Sequence, residues 1–239
     1  LSYMLYQVSK IWLEYADIII CVSKRQAEIV KRQLPSVAKK VKVSYNPLPN
    51  LPDIRKRYGN ALSVLYAGGR RHTKGYHILL QAISRLTSFS RNAKIKLPIM
   101  EFILTGGKYR KFLVNEGNIK IRALDRIPRH QYIKLHRRAA ALVFPSIWEE
   151  PLPYVIIESM LMKTIPIASK VGGIVEVLEY SPARSFLFKP GDPEALTEKL
   201  MELACMKTSE LEGLGENLRE YISSKFSNVP GEIVKIFSC

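Results

Sequence analysis

The sequence predicts an α/β fold with a doubly wound parallel sheet, helices on both faces and further helices at the C-terminal end. Short apolar and β-branched runs alternate with helical patterns along most of the 239 residues, which is typical of parallel strands joined by crossover helices. Pairs of glycines follow several of these runs, as expected where a strand turns sharply. The hydrophobic share of 47% is sufficient for one large core or two small ones.

The predicted strands are rich in Val, Ile, Leu and aromatic residues and end at turn-forming residues. They span residues 17–22, 41–45, 62–67, 101–105, 119–123, 142–144, 165–168 and 186–188. In a parallel sheet, ligands bind outside the carboxyl ends of the strands. The residues that follow these segments are therefore the first candidates for a functional site.

Helical patterns lie between most of these strands and continue after them. They span residues 23–34, 76–86, 129–140, 154–162, 192–206, 209–224 and 230–236. Asp192 is expected to cap the helix whose first residue is Pro193, because its carboxylate can accept hydrogen bonds from the free N–H groups of a helix start.

The chain is strongly basic, with 37 Lys and Arg against 21 Asp and Glu and a net charge of +16. Such a field attracts polyanions, which include nucleic acid, acidic lipid surfaces and diphosphates. Nucleic acid is disfavoured, because few aromatic residues stand among the basic clusters to stack on bases. An acidic membrane surface explains the excess more economically.

The sequence gives no sign of a membrane span, a disulfide framework or a metal site. No stretch approaches the roughly 18 apolar residues that cross a bilayer, and the first ten residues lack a signal-peptide pattern. We therefore expect a cytoplasmic protein, in solution or peripheral to the inner face of the membrane. The three cysteines are far apart, without disulfide or metal-ligand spacing. Structural or solvent-facing roles are expected for His72, His77, His130 and His136.

The most informative segment places Glu150 and Glu158 on either side of a loop that turns into a helix. Pro145 and Pro151 interrupt regular structure, and a helix begins after Pro153. The free N–H groups of a helix start suit a phosphate, and carboxylates can accept hydrogen bonds from sugar hydroxyls. The alternative is that the glutamates only stabilise the helix start through its dipole.

A second motif follows the predicted strand at 62–67. Gly68 and Gly69 allow the backbone to approach a phosphate closely, and Arg70 and Lys74 bring cations that can neutralise a diphosphate. The sequence has no Asp-x-Asp pair to suggest a bound Mg²⁺ or Mn²⁺. The alternative is a tight turn with solvated charges.

Residues 145–176 resemble the Glu-x7-Glu signature of the retaining glycosyltransferases of family 4. Two further landmarks occur in the expected order, because residues 16–23 resemble the strand-to-Ser element of that family and residues 65–75 resemble its Gly-Arg…Lys-Gly element. Pro151 and Pro153 stand where the family usually carries glycines, and proline has no N–H to donate to a ligand.

The resemblance implies a nucleoside-diphosphate sugar as donor substrate, with no cofactor and no metal. It implies that Glu150 holds the donor sugar while Arg70 and Lys74 stabilise the diphosphate. Glu158 would accept hydrogen bonds from the ribose, and the backbone near Ile127 would face the base. The other donor-binding residues implied are Gly68, Gly69, Gly106, Gly107, Pro151, Leu152, Pro153, Tyr154, Gly172 and Gly173.

The GT-B fold of that family has two Rossmann-like domains, and the resemblance implies that this chain is mainly the C-terminal, donor-binding one. The implied parts are the end of the N-terminal domain with the junction at 1–45, a Pro-rich linker at 46–53, the donor-binding domain at 54–225 and a crossing helix at 226–239. The acceptor-binding N-terminal domain would be missing. We therefore expect the isolated chain to be an inactive fragment.

Two other classes of function stay open at the level of sequence. One is a different GT-B enzyme, such as a nucleotide-sugar epimerase or a phosphorylase, which would form product without an added sugar acceptor. The other is a non-catalytic binding module that uses its basic surface, and its binding would fall steeply with salt without competition from nucleotide sugars.

Overall fold

The computed structural model describes residues 2–91, 97–108 and 112–229, without the side chains of residues 2–7 and 112. The chain divides into two compact units. The first comprises Leu1–Leu48 with Lys225–Cys239, and the second comprises Pro49–Ser224. The helix predicted at 230–236 lies outside the described residues, so it stays a prediction.

The first unit begins with helix α1 and contains a pair of short parallel strands. Its elements are α1 (Ser2–Tyr15), β1 (Ile19–Cys21), α2 (Lys24–Gln33), a 3-10 turn (Pro35–Lys40) and β2 (Val41–Val43). Ser23 caps α2, because its hydroxyl accepts a hydrogen bond from the N–H of Gln26 at 3.1 Å. Cys21 packs in the buried apolar cluster of this unit. Burial raises the pKa of its thiol.

The second unit is built on a mostly parallel sheet. Its strands are β3 (Leu62–Tyr66), β4 (Met100–Gly107), β5 (Phe112–Glu116), β6 (Ile119–Asp125), β7 (Ala139–Phe144), β8 (Ile165–Ser169) and β9 (Leu187–Phe188). Among the described residues, seven strands form this sheet in the order β5-β6-β4-β3-β7-β8-β9. All neighbours are parallel except β5, which runs antiparallel to β6 at one edge.

Helices flank the sheet and connect its strands. They are α3 (Tyr76–Arg91), α4 (Arg129–His136), α5 (Tyr154–Leu161), α6 (Ile174–Leu178), α7 (Pro193–Cys205) and α8 (Thr208–Lys225). Helices α3 and α7 pack on each other, whereas α4 and α5 contact β7, and α5 also contacts β8. The step from β3 to β4 runs in one direction along the sheet and the step from β7 to β8 in the other. Right-handed crossovers then place α3 and α5 on opposite faces, and the predicted α/β fold is confirmed.

The largest error of the sequence prediction concerns the boundary between α4 and β7. The helix predicted at 129–140 ends at His136, and β7 begins at Ala139, ahead of the predicted strand start at Leu142. Alanines favour a helix locally. A strand between β3 and β8, however, is buried on both faces, and this tertiary setting decides the conformation.

The strand order reverses between β3 and β7. The chain moves from β3 to β4 on one side of β3, and it later returns to β7 on the other side. At such a switch point, the loops after the two strands part and leave a crevice for a ligand. The loops after β3 and β7 are the two sequence motifs described above. In the described part of the chain, no helix is long and apolar enough to span a membrane.

Candidate functional site

A cleft of about 460 Å³ opens at the carboxyl edge of the sheet, within the usual size range of small-molecule sites. Its wall consists of Ala67, Gly68, Arg71, Lys74, Gly106, Arg126, Phe144, Glu150, Pro153, Tyr154 and Val155. The loops after β3, β6 and β7 and the end of β4 all contribute, and the start of α5 closes one side. The cleft therefore lies at the switch point of the sheet.

A buried ion pair lies in the wall of this cleft. The Nζ of Lys74 is 2.5 Å from Oε1 of Glu150, whose side chain is only 7% exposed. Ser146 is fully buried and donates its hydroxyl hydrogen to the same carboxylate oxygen at 2.8 Å. The Lys74 ammonium also lies over the ring of Phe144, 5.6 Å from its centre. These contacts hold a charged carboxylate in place at the edge of the cleft.

The two loops that carry this pair are fastened to each other by backbone contacts. The N–H of Ile147 donates to the carbonyl oxygen of Thr73 at 3.0 Å. Gly75 has a φ of 70°, and a Cβ there would come within 1.7 Å of the carbonyl oxygen of Pro145. Only glycine fits such a contact in this conformation. The sequence motif around Lys74 thus allows the loop after β3 to lie directly on the loop after β7.

The loop at residues 67–75, which we call the phosphate loop, rests on a buried tyrosine. The hydroxyl of Tyr66 is 2.9 Å from the carbonyl oxygen of Gly69 and 3.3 Å from that of Lys74. The N–H of Gly69 donates to the carbonyl oxygen of Thr105 at 3.1 Å. These bonds fix the backbone of the phosphate loop before any ligand arrives.

Glu158 lies in helix α5 and forms a different ion pair. Its Oε1 is 2.8 Å from NH1 of Arg129, and its side chain is 11% exposed against 58% for the arginine. Burial first, and the negative charge of Glu158 second, raise the pKa of the phenols of Tyr132 and Tyr154. The buried hydroxyl of Tyr132 has no partner among the described residues. Glu158 is therefore the centre of a second polar group, next to the cleft wall at Tyr154.

The structure brings part of the predicted site together. The predicted residues that line the cleft are Gly68, Lys74, Gly106, Glu150, Pro153 and Tyr154. The predicted residues that are not part of its wall are Gly69, Arg70, Gly107, Ile127, Pro151, Leu152, Glu158, Gly172 and Gly173. Of these, Gly173 still supports the site, because its N–H donates to the carbonyl oxygen of Glu150 at 2.8 Å. The functional roles assigned from the sequence stay predictions.

Five wall residues were missed from the sequence, and they are Ala67, Arg71, Arg126, Phe144 and Val155. Arg71 lines the cleft where Arg70 was expected, Arg126 contributes a guanidinium from the loop after β6, and Phe144 ends β7. The two adjacent arginines in the phosphate loop predicted a cation in the site. The sequence did not show which of the two faces the cleft. In the described ranges, no cluster of three or more His, Cys, Asp or Glu side chains is placed to hold a metal ion.

Comparison with protein families places the second unit in a known group. The sequence model of the family described as Glycosyl transferases group 1 matches residues 49–222, which is well over half of the chain. No curated protein matches the chain at a significant level.

Solved structures share the fold. A glycosyltransferase from Rickettsia africae is 17% identical, with a TM-score of 0.74 over 95% of this chain and 65% of its own. HepE of Anabaena, in complex with UDP and glucose, is 20% identical, with a TM-score of 0.70 over 94% of this chain and 63% of its own. TarM of S. aureus, in complex with Fondaparinux, alpha-GlcNAc-glycerol and UDP, is 16% identical, with a TM-score of 0.76 over 98% of this chain and 47% of its own. The chain thus spans from about half to nearly two thirds of these relatives.

Proposed function

The chain belongs to the group 1 glycosyl transferases, and on that premise we propose that it is the donor-binding part of a retaining glycosyltransferase of the family 4 type. Its donor is a nucleoside-diphosphate sugar, and its acceptor carries a hydroxyl group. The observation that carries this proposal is the buried pair of Glu150 and Lys74 in a cleft at the switch point of the sheet. The UDP and glucose bound by HepE support the choice of donor class.

The proposed reaction exchanges one bond to the anomeric carbon for another. The bond from that carbon to the diphosphate oxygen breaks, and its electron pair leaves with the diphosphate. The oxygen of the acceptor hydroxyl bonds to the same face of the carbon, and the hydroxyl proton passes to the departing diphosphate. The configuration is thereby retained.

Each polar group of the cleft has a role in this proposal. Glu150 accepts hydrogen bonds from hydroxyls of the donor sugar, and Ser146 and Lys74 hold it in position. Glu158 accepts hydrogen bonds from the ribose. The sequence predicts that Arg70 and Lys74 bind the diphosphate. Fixed cations do the work that a metal does in other enzymes.

The other half of the reaction lies outside this cleft. In the proposed enzyme, a preceding domain binds the acceptor and excludes water. An acidic membrane surface with a lipid-linked acceptor is a suitable partner for a chain with a net charge of +16. The chain alone then binds the donor without transferring its sugar.

The test is a thermal-shift screen with nucleoside diphosphates and their sugars, in EDTA, beside a transfer assay on the same preparation. A ligand that binds only the folded state raises the midpoint of unfolding. We expect the nucleotides of one base to raise the midpoint of unfolding clearly although EDTA is present. We expect no acceptor-dependent transfer. No rise with any nucleotide would contradict the proposed donor class. Transfer by these 239 residues alone would contradict the division into halves.

A further inference from the structure

Two arginines reach the cleft from neighbouring parts of the sheet edge. Arg71 belongs to the phosphate loop after β3, and Arg126 directly follows β6. Strand β4 lies between β3 and β6 in the sheet, and it contributes Gly106 to the wall. The two arginines therefore come from segments that follow the two strands flanking β4.

The charges of the wall are unevenly matched. Lys74 is already paired with Glu150 at 2.5 Å. Arg71 and Arg126 form no ion pair with a carboxylate in the part of the chain that the structure describes. Glu150 is the only carboxylate among the described wall residues, so the cleft keeps two positive charges without a counter-charge. An anion with two negative charges would balance them.

Two glycines line the same cleft. Gly68 and Gly106 both belong to the wall, and Gly106 has a φ of 90°, with the carbonyl oxygen of Ala67 only 2.4 Å from where a Cβ would be. Nothing larger than glycine fits there. Glycine at this position therefore lets the loop after β3 pack directly against the end of β4, where both segments form part of the cleft wall.

We propose that Arg71 and Arg126 hold the diphosphate of the donor from its two sides, in place of the Arg70 that the sequence suggests. The inference rests on the proposed function, since it names the residues that recognise the leaving group. A guanidinium binds a phosphate through two parallel N–H donors. Arg71 is well placed for this task, because its carbonyl oxygen accepts hydrogen bonds from the N–H groups of Lys74 and Tyr76, at 3.2 Å and 3.4 Å, and these bonds fix its backbone.

The separate roles of Lys74 and the two arginines have a chemical consequence. Lys74 stays with Glu150 beside the sugar, and the two arginines meet the negative charge that grows on the diphosphate as its bond to the sugar breaks. Diphosphates should therefore bind far better than monophosphates or nucleosides. Arg71 and Arg126 are both exposed, so their replacement is expected to leave the fold intact.

The experiment compares Arg71→Ala, Arg126→Ala and Arg70→Ala with Arg85→Ala, which removes an exposed arginine from α3 outside the cleft wall. Calorimetry in EDTA measures the affinity for UDP, GDP, ADP, their nucleosides and inorganic pyrophosphate, which has neither base nor ribose. Loss of a hydrogen-bonded charge pair weakens binding by about tenfold or more. We expect that loss for pyrophosphate and for the bound diphosphate in Arg71→Ala and in Arg126→Ala. The nucleoside should bind unchanged, and Arg71→Lys should recover part of the loss.

Two results would overturn the inference while the proposed function stands. In one, Arg71→Ala and Arg126→Ala bind pyrophosphate and the diphosphate as tightly as Arg85→Ala does. In the other, Arg70→Ala loses as much affinity as Arg71→Ala. If the unaltered chain binds no diphosphate and no pyrophosphate, both the proposed function and this inference are wrong.

Discussion

At the scale of single residues, the two glutamates of the Glu-x7-Glu segment differ in their surroundings. Glu150 faces the cleft and contacts Lys74 and Ser146. Glu158 lies in α5 beyond Val155, the last wall residue of that helix, and contacts Arg129. The two glutamates therefore have different surroundings, which supports two separate roles.

These settings predict different effects of removing each carboxylate. Glu158→Ala should weaken binding of the bare nucleoside diphosphate by about 1–3 kcal/mol, because the ribose loses a charged acceptor. Glu150→Ala should lower affinity mainly for the full nucleotide sugar and hardly for the bare diphosphate. Calorimetry with both ligands measures the difference. Glu198→Ala, which removes an exposed glutamate from α7, is the matched control. Equal losses of the two variants on the bare diphosphate would show that the roles are not divided in this way.

At the scale of helices and strands, α4 is anchored by a buried histidine at its last turn. The Nδ1 of His136 is 2.9 Å from the hydroxyl of Thr164, and its side chain is fully buried. The carbonyl oxygen of His136 accepts a hydrogen bond from Nζ of Lys56 at 2.7 Å. Burial, assisted by the Lys56 charge, holds the pKa of His136 well below its ordinary value of 6.5.

This burial predicts a loss of stability in mild acid. Between the lowered pKa of folded His136 and the value of 6.5 in the unfolded chain, the unfolded state binds more protons. The contribution of His136 to stability is therefore complete above pH 6.5 and is lost as the pH decreases, by at most about 1.4 kcal/mol per pH unit. Urea unfolding at several pH values should show a smaller decrease for His136→Gln than for the unaltered chain. His130→Gln, at an exposed histidine of the same helix, should behave like the unaltered chain, and an equal decrease in all three would contradict this account.

The elements that sequence patterns did not predict escaped prediction for different physical reasons. Ala139 to Ala141 favour a helix locally, and only their place between β3 and β8 makes them a strand. Strand β5 pairs antiparallel with β6 at the sheet edge. Such an edge strand has a weak hydrophobic pattern, because one of its sides has no neighbouring strand and is open to solvent. The short α6 (Ile174–Leu178) also escaped prediction, since five residues give too little periodicity. Strand β8, which is buried on both faces, was predicted at 165–168 and so ends one residue later than predicted.

At the scale of the whole molecule, the order of elements was predictable and the orientation of loops was not. Alternating strands and helices fix which loops end at one edge of the sheet, so Gly68, Lys74 and Glu150 were found together from the sequence. Which of two adjacent arginines faces the cleft depends on the path of the phosphate loop over Tyr66. Arg126 follows a strand far away in the sequence, and only the sheet order brings it to the same wall.

The opposite edge of the sheet carries a second cavity, of about 540 Å³. It is lined in part by Asp53, Lys163 and Glu216, and Nζ of Lys163 lies 2.8 Å from a carboxylate oxygen of each of the other two. The charges in this cavity are thus matched to each other. The larger volume of this cavity alone would favour it as the functional site. The position of the cleft at the switch point of the sheet and its unmatched positive charges favour the cleft instead.

The most direct measurement is hydrogen exchange of the backbone amides with and without the nucleotide sugar that gives the largest thermal shift. A ligand in the cleft should slow exchange in the phosphate loop and in residues 146–155, which carry Glu150. Residues 53–56 and 212–216, at the second cavity, should exchange at an unchanged rate and serve as the internal control. Protection confined to the second cavity, or no protection at either edge, would contradict the claim that the cleft binds the donor.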